Sequence, residues 1–178
     1  MQQAVINGLN RAGMSMQGED QAPYMLQEED KKERQSKIDL KSLNYQLSQV
    51  KTEGERRFVW FEHIAEPFLT EDYRFTDENG KSFSVPVFIT NYPAEICPLA
   101  RPSDESAGVC DRFELFVDGR ELANAFQELN DPDEQARQFK LQLETNQKDP
   151  MGYDADYVEA LEYGMPPAIG FGMGIDRL

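Results

Sequence analysis

The chain has 178 residues, 39% of them hydrophobic and 29% charged, which suits one domain with a buried core. Its formal net charge of −15 argues against a free-standing nucleic-acid-binding module, because phosphate contacts require a basic surface. A single histidine excludes a multi-histidine metal site, and the spacing of Cys97 and Cys110 fits no zinc motif. No apolar run is long enough for a membrane helix, so we expect a cytoplasmic protein with reduced cysteines and no membrane partner.

The composition of the first fifty residues indicates a polar segment. Residues 1–36 hold scattered glycines and a mixed charge run, which favours loose or helical surface over core. From Leu40 to Val50 the apolar residues recur at helical spacing. We therefore divide the chain into residues 1–50, a polar and partly helical segment of unknown role, and residues 51–178, the main domain.

The main domain begins with a predicted helix over about residues 55–69, whose aromatic stripe is typical of a core-facing surface. Asn79-Gly80, within residues 72–85, predicts a short hairpin. Val87 to Thr90 predicts a short strand that ends before Pro93.

The central hairpin is predicted at Asp118-Gly119, which separates two β-forming runs and fits a two-residue type I′ turn. Simple pairing across this turn sets Glu114 and Glu121 on one face as diagonal neighbours, roughly 7–8 Å apart. Glu128 follows along the second strand. Such carboxylates are costly to bury unless a metal cation or an ammonium group lies between them, although a solvated polar face explains the pattern equally well.

The rest of the chain predicts two helices and a strand. Asp131 caps a helix that runs to about residue 146 with Ala136, Phe139 and Leu143 facing inward, and residues 148–152 form a loop. A shorter helix spans residues 154–163.

The last segment, residues 168–174, predicts a glycine-rich strand with one bare face, on which a flat ligand or another backbone can lie. It lacks the spacing of a dinucleotide-binding motif. The whole pattern favours an α+β fold, with an antiparallel sheet of about four strands and helices packed on one side.

Five blocks of the sequence, in order, are similar to the class II lysyl-tRNA synthetases. They are residues 88–100, 111–116, 121–131, 160–167 and 172–177. The last block resembles the third signature motif of that family. Nothing resembles the first or second motif or the anticodon-binding domain. The resemblance therefore implies that residues 51–178 are the C-terminal part of a catalytic domain.

The resemblance implies an ATP site. Glu114 and Glu121 would hold the Mg²⁺ that bridges the ATP phosphates, and Asn124 would contact the substrates. Arg177 corresponds to the arginine of the third motif, which lies against the phosphates, and it is the candidate catalytic residue.

The resemblance also implies a lysine site. Asn124 and Phe126 would line it, and Glu128 would bind the ε-ammonium group of lysine, which is chemically sensible for a cationic substrate. Glu95, Asp111 and Arg112 have weaker claims, because ion pairs of the surface or hairpin explain them equally well.

The implied function is that of part of a lysine–tRNA ligase, with lysine, ATP and tRNA(Lys) as substrates and the rest of the synthetase or a homodimer partner as protein partners. We expect little or no activity from the chain alone. The alternative is a non-catalytic remnant that binds a lysine-like ligand or a partner protein.

Strand alternation conflicts with this site, because it puts Glu121 and Glu128 on opposite faces. One extra residue in the second strand resolves the conflict. We therefore predict a β-bulge at Leu122-Ala123, with Glu114, Asn124 and both of these glutamates facing one cavity.

Overall fold

The computed structural model describes Met1, Ala4 and residues 28–145 and 153–178. The predicted loop at residues 148–152 lies outside the described residues. The helices are α1 (Glu28–Lys37), α2 (Leu40–Gln49), α3 (Glu53–Trp60), α4 (Leu69–Asp72), α5 (Pro132–Thr145) and α6 (Ala155–Glu162). The strands are β1 (Arg74–Thr76), β2 (Ser82–Ser84), β3 (Val87–Pro93), β4 (Val109–Val117), β5 (Arg120–Gln127) and β6 (Ile169–Met173).

The N-terminal helices contribute to the core. Arg34 on α1 is buried, and its guanidinium pairs with the Asp72 carboxylate and lies 4.3 Å from the centre of the Phe68 ring. The expectation that residues 1–36 stay outside the core is wrong for Arg34, and also for Met1 and Ala4, which are buried. The sequence did not predict this burial, because a run of charged residues is usually exposed. An arginine in such a run can nevertheless be buried when a carboxylate pairs with it. The domain boundary at residue 50 stays a prediction.

Helix α3 begins with a capping box, in which Thr52 and Glu55 each accept a hydrogen bond from the other's backbone N–H. The predicted helix continues irregularly, through a π-helical turn (Phe61–Ala65) and a 3₁₀ turn (Glu66–Phe68), into α4. Pro67 lies at this irregularity, since it has no N–H to continue the i→i−4 pattern. The aromatic stripe is confirmed as core at the fully buried Phe61.

Strands β1 and β2 form the predicted hairpin around Asn79-Gly80, with Thr76 opposite Ser82. The Asp77 carboxylate accepts hydrogen bonds from the backbone N–H groups of Asn79 and Lys81, which fixes the loop.

The main sheet has four antiparallel strands in the order β3-β4-β5-β6, which confirms the predicted α+β class and strand number. One face packs against the helical segment, where the Phe61 and Phe116 ring centres are 6.2 Å apart. The opposite face carries Phe88 and Phe171, which are 59% and 61% exposed. Helices therefore cover the sheet on the side of Phe116, and we call this side the carboxylate face because it also bears Glu114.

Helix α5 starts at the predicted cap, where the Asp131 carboxylate accepts hydrogen bonds from two N–H groups of the first turn. The residue that α5 buries most is Gln135, whose amide donates to the Pro98 carbonyl oxygen at 3.0 Å. The prediction that Leu143 faces inward is wrong, since Leu143 is 38% exposed and Leu141 is 42% exposed. The first turn of α5 thus makes the buried contact, and these later residues face solvent.

The predicted helix over residues 154–163 is confirmed as α6, and the Asp154 carboxylate caps it by accepting from the Tyr157 N–H at 2.9 Å. Strand β6 then pairs with β5, and one 3₁₀ turn (Ile175–Arg177) follows it. None of the helices in the described part of the chain has the length and apolar character needed to cross a bilayer.

Candidate functional site

The site is built on the hairpin of β4 and β5. Asp118 and Gly119 have φ angles of 50° and 74°. A type I′ turn requires positive φ at both central residues, so the predicted turn is confirmed. Pairing then starts with Val117 opposite Arg120.

The pairing slips by one residue just beyond the turn. Phe116 lies opposite Glu121, but Leu115 lies opposite Ala123, so Leu122 has no partner on β4. This extra residue is a β-bulge and confirms the break predicted at Leu122-Ala123.

The bulge reorients the rest of β5. Glu114 lies opposite Asn124, whereas simple pairing would set it opposite Ala123, and Arg112 lies opposite Phe126. Because side chains of directly opposed residues share a face, Glu114, Asn124 and Phe126 lie on the carboxylate face together.

Glu114 is held by two partners. It is 8% exposed, and its Oε2 accepts a hydrogen bond from the Tyr92 hydroxyl at 2.6 Å. Its Oε1 pairs with the Arg112 guanidinium, which also lies 4.5 Å from the centre of the Tyr92 ring. Burial and the contact with Glu114 raise the pKa of Tyr92, so its hydroxyl remains a donor. The sequence did not indicate that Tyr92 contacts Glu114, because an aromatic residue in a strand is usually interpreted as part of the hydrophobic core.

Glu121 and Asn124 are joined across the bulge, since the Asn124 amide donates to Glu121 Oε1 at 3.1 Å. Arg177, from the turn after β6, donates from Nη1 to the Glu121 carbonyl oxygen at 2.7 Å. The predicted catalytic residue is therefore next to a predicted metal ligand, although 56 positions separate them in the chain.

Glu128 lies over β6. A Cβ built on Gly170 would stand 2.0 Å from Glu128 Oε1, so a larger residue here would force this carboxylate to move. Gly170 pairs with Phe126, which places the Glu128 carboxylate beside Phe126. Burial raises the pKa of Glu128, and burial together with the Glu128 charge raises the pKa of Tyr157. Tyr157 is thus a neighbour that the sequence did not indicate.

Two further carboxylates approach from the helical segment. Burial, followed by the charges of Glu62, Glu114 and Glu121, raises the pKa of Glu66 to about 7. Sequence reasoning missed Glu62 and Glu66 because polar residues on an amphipathic helix usually face solvent.

The donor set fits a magnesium ion. Carboxylate oxygens are the ligands that Mg²⁺ prefers, and after burial the charges of Glu62, Glu114 and Glu121 contribute to the raised pKa of Glu66. Within the described residues, no group of three or more His, Cys, Asp or Glu side chains is arranged to hold a metal. Any Mg²⁺ here would therefore take its remaining ligands from phosphate oxygens and water.

Three residues had weaker claims to a functional role, namely Glu95, Asp111 and Arg112. Glu95 Oε2 accepts a hydrogen bond from the Gly54 N–H at 2.5 Å and so caps the first turn of α3. Asp111 is exposed. Arg112 is the exception, because it contacts Glu114 directly.

The sequence matches known proteins over most of its length. The family described as tRNA synthetases class II (D, K and N) matches residues 9–178, so the match begins well before the blocks recognised above. Over 128 residues, 70% of the chain, it is 50% identical to the lysine–tRNA ligase of Paraburkholderia phytofirmans and 58% identical to that of Burkholderia thailandensis. The aligned stretch is 22% of the length of each of these relatives. The chain therefore belongs to the class II tRNA synthetase family of the D, K and N type.

Proposed function

We propose that this chain supplies part of the ATP and lysine site of a lysine–tRNA ligase. The observation that carries the proposal is the bulge at Leu122, which gathers the candidate ligands on the carboxylate face. The identity to lysine–tRNA ligases supports the same assignment and does not favour a non-catalytic remnant.

On the lysine side, Glu128 is the proposed partner of the substrate's ε-ammonium group. Its pKa is raised by burial, so a cation bound there would gain a partly desolvated carboxylate as its partner. Phe126 is the proposed wall for the aliphatic part of lysine, and Asn124 a polar contact to the substrates. These three residues are on one face of β5 and its β6 neighbour.

On the ATP side, Glu114 and Glu121 are the proposed ligands of Mg²⁺, which would neutralise phosphate charge when bound. Arg177 is proposed to contact the phosphates, and its hydrogen bond to the Glu121 carbonyl keeps it beside the metal ligands. Arg112 and Tyr92 position Glu114 by holding one carboxylate oxygen each.

The proposed reaction is activation of lysine by ATP, followed by transfer to tRNA(Lys). The residues described here bind and orient the substrates, since this kind of chemistry depends mostly on positioning and electrostatics. The rest of the synthetase, or a homodimer partner, supplies the other contacts. Loss of one preorganised charge contact can reduce a rate by about 10²–10³, so we expect weak activation by the isolated chain.

The test joins this chain with a polypeptide that carries the remaining catalytic-domain segments. Lysine-dependent ATP–pyrophosphate exchange by the mixture, far above that of either part, is the expected result. Binding of lysine without exchange would instead favour the non-catalytic alternative.

The Glu128→Gln variant tests the lysine contact in the same mixture. It should weaken binding of lysine, measured by calorimetry, while binding of the uncharged analogue norleucine is unchanged. Glu159→Gln, which alters an exposed carboxylate on α6, is the matched control. Equal weakening for lysine and norleucine would show that Glu128 is structural.

A further inference from the structure

The pairing of β3 with β4 is irregular at Asn91. The register shifts between Thr90 and Tyr92, so that Asn91 has no partner on β4. The backbone φ angle of Asn91 is 58°, which lies in the left-handed region. In the described part of the chain, the only other non-glycine residue with a positive φ is Asp118, in the hairpin turn. A left-handed residue inside a strand is uncommon, and such positions are concentrated near functional sites.

The irregularity changes the face of the sheet on which Tyr92 lies. Phe88 and Thr90 are exposed, and strict alternation along β3 would place Tyr92 on the same side as these two residues. Tyr92 is instead fully buried, and its hydroxyl reaches Glu114 on the carboxylate face. Asn91 is the residue of this stretch that departs from extended geometry. Its left-handed conformation therefore turns Tyr92 toward Glu114.

On the carboxylate face, Tyr92 supports both oxygens of the Glu114 carboxylate. Its hydroxyl donates to Glu114 Oε2 at 2.6 Å. Its ring centre lies 4.5 Å from the guanidinium of Arg112, which pairs with Glu114 Oε1. A carboxylate has about four lone-pair sites, so these two contacts leave capacity for a metal ion. The orientation of Glu114 thus depends on the side to which Tyr92 points.

We propose, on the basis of the Mg²⁺-binding role proposed above for Glu114, that Asn91 is a positioning residue that acts through Tyr92. Contacts that orient a metal ligand typically change metal affinity by about 10–100-fold when they are lost. Asparagine adopts the left-handed conformation more readily than most residues, whereas a β-branched residue there is strongly disfavoured. The residue at position 91 therefore controls how firmly Mg²⁺ is held, although its exposed side chain is not a ligand.

Lysine-dependent exchange by the reconstituted mixture, measured over a range of Mg²⁺ concentrations, tests this role. Asn91→Val should raise the Mg²⁺ concentration for half-maximal exchange by about 10–100-fold. The KM for lysine should be nearly unchanged, because the proposed lysine site is on β5 and β6. Asn91→Gly should retain the original Mg²⁺ dependence, since glycine readily adopts a positive φ. Thr90→Val, at the exposed neighbouring position, is the matched control. Equal effects of Asn91→Val and Asn91→Gly, or a parallel rise in the KM for lysine, would overturn the proposal.

A double-mutant cycle on the chain alone tests the link between Asn91 and Tyr92 independently of activity. Tyr92→Phe removes the hydroxyl that binds Glu114, so it should lower the midpoint of urea unfolding in the chain that keeps Asn91. In the Asn91→Val background the hydroxyl no longer reaches Glu114, and the same change should have little effect. Asn91→Ala, which has a smaller steric penalty at positive φ, replaces Asn91→Val if circular dichroism shows that the valine variant is unfolded. An equal shift in both backgrounds would overturn the proposal.

The exchange assay and the unfolding cycle also separate this inference from the proposed function. Absence of exchange in the mixture with the unsubstituted chain would count against the proposed function. The unfolding cycle would still decide whether Asn91 holds Tyr92 against Glu114, since it requires neither ATP nor a second polypeptide.

Discussion

Glu66→Gln should stabilise the folded chain at alkaline pH and reduce the pH dependence of its stability. Burial and, after it, the charges of three neighbouring carboxylates together raise the pKa of Glu66 from 4.5 to about 7. The native state therefore binds a proton more tightly than the unfolded chain. The contribution of Glu66 to the stability of the folded state is therefore fully present below pH 4.5. The free energy of unfolding decreases as the pH rises from 4.5 through 7.

The magnitude follows from the pKa. A rise from 4.5 to about 7 corresponds to about 3.4 kcal/mol, at about 1.36 kcal/mol for each pH unit. Glu66 is only partly buried, so solvent screening reduces this value. We expect Glu66→Gln to raise the free energy of unfolding by about 1–2 kcal/mol at pH 8 and to leave it nearly unchanged at pH 4.5.

Urea unfolding followed by circular dichroism at pH 4.5 and pH 8 measures this difference. Glu159→Gln removes an exposed carboxylate and serves as the control, with a similar small effect at both pH values. A Glu66→Gln variant whose stability changes equally at the two pH values would refute the reasoning, because the effect would then come from packing and not from the charge.

Two other substitutions test contacts that the sequence did not indicate. Arg34→Met should destabilise the chain by about 3–5 kcal/mol in urea unfolding, since it leaves the Asp72 carboxylate buried without its guanidinium, and a loss under 1 kcal/mol would contradict this. Gly170→Ala should displace the Glu128 carboxylate and weaken lysine binding about tenfold or more in the reconstituted mixture, because its Cβ would stand 2.0 Å from Oε1. Gly172→Ala is the matched control, since its Cβ would be 3.6 Å from the nearest side-chain atom.

The hairpin could be predicted from the sequence because its determinants are local. Asp118-Gly119 tolerates the positive φ angles of a type I′ turn, and the apolar runs beside it define the strands. The bulge at Leu122 required a second argument, namely the conflict between strand alternation and the resemblance to the synthetases. Neither propensity nor periodicity at Leu122 indicates that it has no partner on β4.

The electrostatic surroundings of the site could not be predicted, because they depend on contacts between distant segments. Glu66 lies on a helix where a polar residue predicts a solvated position, yet it approaches Glu114 and Glu121. Tyr92 and Gln135 are fully buried polar side chains whose partners are 22 and 37 positions away in the chain. Sequence patterns indicate which residues can be buried, but not which distant group forms a hydrogen bond with a buried polar side chain.

The structural role of the glycine-rich strand β6 could be predicted only in part from the sequence. Its alternating glycines predicted a bare face that accepts a flat ligand or another backbone. At Gly170 the close neighbour is instead a side chain of the same protein, the Glu128 carboxylate. The absence of a Cβ therefore indicates that some group lies close, while the identity of that group depends on the register of β5 against β6. The bulge at Leu122 puts Phe126 on the carboxylate face, and Gly170 opposite Phe126 leaves the space that the Glu128 carboxylate occupies.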